Sequence, residues 1–118
     1  SAASDVYKRQ MLVYRVLVRD QAAIADLIQA VLTPLTGARG GAEPLLLTLE
    51  AYFATGEVAT DAARRLNISV RTVTYRLTKV KELTGHDPGD PGQRFALHIA
   101  VLGARLLDWP TRDLHAGA

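Results

Sequence analysis

The 118-residue sequence contains no cysteine. Disulfides, thiolate metal sites and a cysteine nucleophile are thereby excluded. Aromatic residues are scarce, at 6%, so a core must be built from leucine, valine, alanine and isoleucine. Richness in Ala and Leu favours helices over sheets. No apolar run approaches the roughly 20 residues of a membrane span. The start lacks the basic-then-apolar order of a signal peptide, so the expected address is cytoplasmic. His86, His98 and His115 are scattered, without the spacing of metal ligands, and each reads as a structural residue. No metal and no cofactor is expected. No paired carboxylates share a face, and neither a Ser–His–Asp order nor a glycine-rich phosphate loop is present, so an enzyme is not expected. The Gly-rich stretch at residues 37–41 has no strand-loop-helix context and reads as a linker.

What is present points elsewhere. Hydrophobic residues make up 48% and charged residues 22%, ordinary for a globular domain. The net charge is only +2. Its distribution is uneven. Residues 60–84 hold six basic and two acidic residues, a net of +4, whereas residues 1–59 and 85–118 each sum to −1. A local basic patch on a near-neutral body suits phosphate binding, although a solvated helix face has the same composition.

Hydrophobic spacing divides the chain into helices. Met11–Val18 is a dense apolar run broken by Arg15, compatible with a strand or a helix. Asp20 is placed to cap a helix reaching Leu32, with Ile24, Leu27, Ile28, Val31 and Leu32 on one stripe. Pro34 and the glycines after it end that helix. Another is expected from Glu43 to Thr55, with Pro44 in its first turn and Leu46, Leu49, Tyr52 and Phe53 buried. Two short-spaced helices follow, capped by Thr60 and Ser69 and separated by Asn67. The last helix, Pro91 to Asp108, is apolar on more than one face, and so either sits centrally or packs on a partner chain.

The pair at residues 60–84 has the frame of a helix-turn-helix. Such a motif needs a small residue in its first helix, a left-handed turn residue, and an apolar inner stripe beneath a polar, basic outer face. Ala63, Asn67, Ile68, Val73 and Leu77 supply these in order. The residues expected to face DNA are Thr60, Ser69, Val70, Arg71, Thr72, Thr74, Tyr75, Arg76 and Lys79. Arg71 and Arg76 suit guanine O6 and N7 or a phosphate, and Val70 suits a thymine methyl. Tyr75, Lys79 and the threonine hydroxyls suit phosphate oxygens. Thr60 and Ser69 serve equally as simple caps. Tyr75 either faces phosphate or lies half-buried against Leu66 or a neighbouring helix.

Four segments carry a resemblance: LLLTLEAYFATG (Leu45–Gly56), RTVTYRL (Arg71–Leu77), KELTG (Lys81–Gly85) and DPGQRFALHIA (Asp90–Ala100). Together they resemble the C-terminal helix-turn-helix of the PucR/CdaR family of transcription regulators. The basic second helix is also similar to that of the bacterial nucleoid protein Fis. VLTPL (Val31–Leu35) resembles the tail of the cyclase-like α/β domain that precedes this module in the family, where Met11–Val18 would be the last strand; without the sheet partners, a helix or a dimer-paired segment is the expectation for this chain. The family usually carries His-Arg-Asn-Thr where this chain has Ser69-Val70-Arg71-Thr72. Arginine in place of asparagine shifts preference from adenine towards guanine or phosphate. The resemblance also implies an effector-sensing N-terminal part outside this chain.

The expected fold is all-α, a helix-turn-helix bundle of about five helices with a remnant of a preceding domain. Residues 1–40 form the N-terminal segment, 41–110 the DNA-binding domain and 111–118 a disordered tail. The expected function is sequence-specific binding of double-stranded DNA as a homodimer, with residues 69–84 as the recognition helix. The alternative is a helical dimerisation or protein-interaction module without DNA contact.

Overall fold

The computed structural model describes residues 2–114, apart from the side chains of Leu17 and Val18. Among these residues it holds six α-helices and no strand. They are α1 (Ala2–Arg19), α2 (Gln21–Val31), α3 (Glu43–Ala54), α4 (Ala59–Leu66), α5 (Val70–Thr84) and α6 (Pro91–Leu106), with a 3-10 turn at Thr33–Gly37. The all-helical class agrees with the composition. The helix beyond the expected five is α1. The run Met11–Val18 is helical, as expected without sheet partners, and does not form the strand of the preceding domain. A strand needs a neighbouring edge for its backbone groups, and a helix satisfies them internally.

Local chemistry explains most boundaries. The Asp20 carboxylate accepts a hydrogen bond from Ala23 N at 2.9 Å and starts α2. Pro44 occupies the first turn of α3, where its missing N–H has no partner to lose. Gly85, at φ 75°, ends α5 in the left-handed conformation. Asp90 accepts from Gln93 N at 3.2 Å and starts α6.

The main core spans both sides of the Gly-rich loop. Ile28, Leu32 and Leu35 from α2 and the 3-10 turn pack with Leu46 and Leu49 of α3, Val80 of α5 and Leu97 of α6. Full burial of each leucine or isoleucine contributes about 1.5–3 kcal/mol. Segment 1–40 thus supplies part of the core on which the helix-turn-helix rests. Helix α6 lies between α2 and α3, so Leu97, Ala100, Val101, Gly103 and Ala104 are all buried. Its broad apolar surface is therefore covered mostly from within the chain. Phe95, 69% exposed, and Leu106, 38% exposed, are the exceptions.

Beyond α6, Trp109 is buried and Leu114 packs against the core. Residues 115–118, which include His115 and half of the segment expected to be a tail, lie outside the described residues. Helix α1 contacts α2 and α6 but leaves Val6, Tyr7, Met11, Leu12 and Val16 exposed. No described helix is long and apolar enough to cross a membrane.

Candidate nucleic-acid interface

Helices α3, α4 and α5 share a second core, formed by Ala51, Tyr52, Ala62, Ala63 and Val73. Ala62 is fully buried and Ala63 is 4% exposed, so α4 approaches its neighbours without bulky side chains between them. The start of α4 differs from expectation. Thr60 does not cap it. The residue before the helix is Val58, in extended conformation and without a side-chain hydrogen bond, and Thr60 lies exposed inside the first turn. The cause lies upstream. Gly56 and Glu57 both adopt positive φ, at 77° and 62°, and Glu57 N donates to Tyr52 O at 2.8 Å. The chain reverses early, and α4 begins before Thr60 is reached.

The turn follows the sequence. Asn67 is left-handed at φ 57°, ψ 45°. Ile68 N donates back to Ala63 O at 3.0 Å, closing the end of α4, and the Ile68 side chain packs into the second core. Ser69 is extended, and its Oγ accepts from Thr72 N at 3.0 Å. The Ser69 and Thr72 hydroxyls also lie 2.9 Å apart, within hydrogen-bond distance. The cap at Ser69 therefore sets the first turn of α5.

Helix α5 has two unlike faces. Val73 and Val80 are buried, and Leu77 and Leu83 pack partly against the cores. On the other side Val70 is 40% and Tyr75 61% exposed, with Arg71, Thr74 and Thr78 also exposed. Tyr75 thus projects outward and is not packed on Leu66. The Arg71 guanidinium has no ion-pair partner among the described residues. The Thr74 and Thr78 hydroxyls donate to Arg71 O and Thr74 O, each at 3.0 Å, and so present methyls and lone pairs outward.

Three cations of this helix are engaged within the protein, and one of them, Lys81, lies with its Nζ 3.6 Å from Asp87. Lys79 Nζ lies 3.2 Å from Glu82, whose hydrogen bond raises the lysine pKa. Arg76 is half-buried, and its Nη1 donates to Thr48 Oγ1 at 3.3 Å. Thr48 is fully buried, and its own hydroxyl donates to Pro44 O at 2.8 Å. Arg76 therefore ties α5 to α3, and its long-range partner is not visible in local spacing. Of the nine residues selected from sequence, Ser69 through Lys79 lie along α5 and its cap, while Thr60 stands apart on α4.

Two described features are structural rather than site-forming. His98 stacks on Phe53 with ring centroids 4.6 Å apart, and burial lowers its pKa. Arg105 bonds to Glu43 at 3.0 Å and to Glu50, joining α6 to α3 and raising the arginine pKa. No group of three or more potential metal ligands exists among the described residues.

Comparison with known proteins agrees with this frame. The chain is 34% identical over 110 residues, 93% of its length, to an uncharacterized protein of Mycobacterium tuberculosis. It is 35% identical over 95 residues, 80% of its length, to the transcriptional activator PmfR of Paenarthrobacter nicotinovorans. It is 37% identical over 65 residues, 55% of its length, to the purine catabolism regulatory protein of Bacillus subtilis. It spans only 26%, 19% and 12% of these three proteins. The crystal structure of a regulator of polyketide synthase expression from Bifidobacterium adolescentis superposes with a TM-score of 0.63 at 32% identity, covering 82% of this chain and 40% of that one. Residues 45–102 match the PucR C-terminal helix-turn-helix domain, and the chain belongs to that family.

Proposed function

We propose that this domain binds double-stranded DNA sequence-specifically, with α5 in the major groove. One observation carries the reading: α5 is anchored by Val73, Leu77 and Val80, while its other face presents Val70, Arg71 and Tyr75 to solvent. In this reading Arg71 bridges guanine O6 and N7, and Val70 meets a thymine methyl. Ser69, Thr72, Thr74, Tyr75 and Lys79 face sugar and phosphate. Arg76, held by Thr48, contributes charge to the backbone and does not read a base. Thr60 meets a phosphate at the start of α4, where the helix dipole favours an anion.

The binding unit is a homodimer that presents two α5 helices about 34 Å apart, one DNA turn. The occupant proposed for the exposed apolar side chains of α1 is a second copy of this chain. Val6, Tyr7, Met11, Leu12 and Val16 are each more than 40% exposed there, more apolar surface than a lone helix keeps in water. The protein acts in the cytoplasm, and its effector-sensing part lies in the remainder of a longer regulator, as the greater length of the relatives supports.

Selection from random duplexes tests the reading. Enrichment of two related half-sites, with affinity falling steeply as salt rises, is expected. Failure to retain any duplex at low salt rejects it. A helical interaction module is the second reading, favoured by the same exposed apolar side chains of α1. It predicts self-association unaffected by loss of Arg71 and Arg76, with no DNA bound.

A further inference from the structure

Beside α5 lies a groove of about 380 Å³ that the sequence does not reveal. Its walls include Arg39 of the Gly-rich loop, Pro44 and Leu45 of α3, and Tyr75, Arg76 and Lys79 of α5. Three cations thus converge from two segments far apart in sequence. They differ in their commitments. Arg76 is held by Thr48 and Lys79 by Glu82. Arg39 is exposed and has no ion-pair partner among the described residues.

The loop is built to hold Arg39 at this edge. Ala38 N donates to Leu35 O at 3.1 Å, and Gly41 N donates to Ala38 O at 2.9 Å. Leu35, three residues before Ala38, is fully buried. Gly40 and Gly41 adopt φ of 88° and 82°, conformations that other residues rarely take. Arg39 is therefore carried on a turn anchored at both ends. An arginine kept at a groove rim, unpaired and beside two more cations, faces an electrostatic cost that an external anion removes.

We propose that Arg39 is a DNA-backbone contact, gripping a phosphate at the flank of the duplex whose major groove receives α5. The inference rests on the proposed DNA-binding function and extends it to a segment that lies before α3. Charge complementarity selects the occupant. The groove joins directly onto Tyr75 and Lys79, so a duplex seated on α5 brings its own phosphates to Arg39. A guanidinium grips two phosphate oxygens together. The role is sequence-independent, because phosphate is the same at every step.

The test is fluorescence anisotropy with the 118-residue chain, a selected duplex and a scrambled duplex, over a series of salt concentrations. Arg39→Ala is expected to reduce the slope of log affinity against log salt by about 0.9, and to weaken both duplexes about eightfold at 0.1 M salt. Arg39→Lys restores the slope. The preference for the selected duplex stays unchanged. An unaltered slope in Arg39→Ala overturns the inference while leaving the DNA-binding reading intact. Loss of preference at one base pair also overturns it, since Arg39 would then read a base. Wild-type protein that binds neither duplex rejects the underlying reading itself. Thermal melting checks the fold, and an exposed loop arginine is expected to leave it unchanged.

Discussion

The guanidinium of Arg76 donates a hydrogen bond to the Thr48 hydroxyl at 3.3 Å, so a cation of the candidate recognition helix is also a strut between α5 and α3. This relationship separates two arginines that look alike in sequence. Arg71 is exposed and has no ion-pair partner among the described residues, while Arg76 is half-buried and held. Arg76→Ala is therefore expected to weaken selected and scrambled duplexes equally, and to lower stability by about 0.5–1.5 kcal/mol through the lost hydrogen bond. Thr48 keeps its bond to Pro44 O, which limits the loss. Anisotropy on both duplexes, with urea denaturation, checks this. A change confined to one base pair would contradict it.

Gly103 allows α6 to approach α2. A methyl at that position would lie 2.7 Å from Ile24 Cγ2, on a β-branched side chain with little freedom to move. Alanine in an open helix site stabilises relative to glycine, by roughly 0.5–1 kcal/mol. Here the clash decides the sign, and Gly103→Ala is expected to cost about 1–3 kcal/mol in urea denaturation. Combining it with Ile24→Ala should cost less than the sum of the two single changes, because the second removes the obstructing methyl. Additive costs would show that the two helices are not in this contact.

His98 predicts a pH dependence. Burial against Phe53 lowers its pKa below the ordinary 6.5; Glu57 opposes that shift and Arg94 adds to it. Above about 6.5 both folded and unfolded chains hold it neutral, and the stabilisation is fully present. As pH falls below that value the unfolded chain takes up a proton before the folded one does, so stability declines towards the lowered folded pKa. Thermal melts at about pH 7.5 and about pH 5.5 should show a drop that His98→Phe reduces, since phenylalanine keeps the ring contact without titrating. An equal drop in both proteins would place the dependence elsewhere.

Much of the site was legible because its signals are local. A helix cap needs one hydroxyl or carboxylate at the right offset, and Asp20 and Ser69 both behave as their types suggest. Asn67 tolerates the left-handed turn, and the stripe Val73, Leu77 and Val80 follows the helical period. The errors have equally physical causes. Thr60 is a good capping type, but the paired positive φ at Gly56 and Glu57 starts α4 before it. Met11–Val18 is no such error: the run is too short for periodicity to separate strand from helix, and the helix expected without sheet partners is the one found. The Arg76–Thr48 bond and the closeness of Arg39 to Lys79 join residues far apart in the chain, and no spacing rule reaches them. The breadth of apolar surface on α6 was read correctly, and its covering by α2 and α3 follows only from the assembled core.

The central claim is that α5 reads base edges through Arg71. It is tested most directly by measuring Arg71→Ala and wild type against the selected duplex and its single-base-pair variants. The account predicts that the substitution costs about 1–3 kcal/mol on the selected duplex and flattens discrimination at one position, a guanine, while the other positions keep theirs. If Arg71→Ala discriminates among all the variants as wild type does, base reading by that side chain is contradicted.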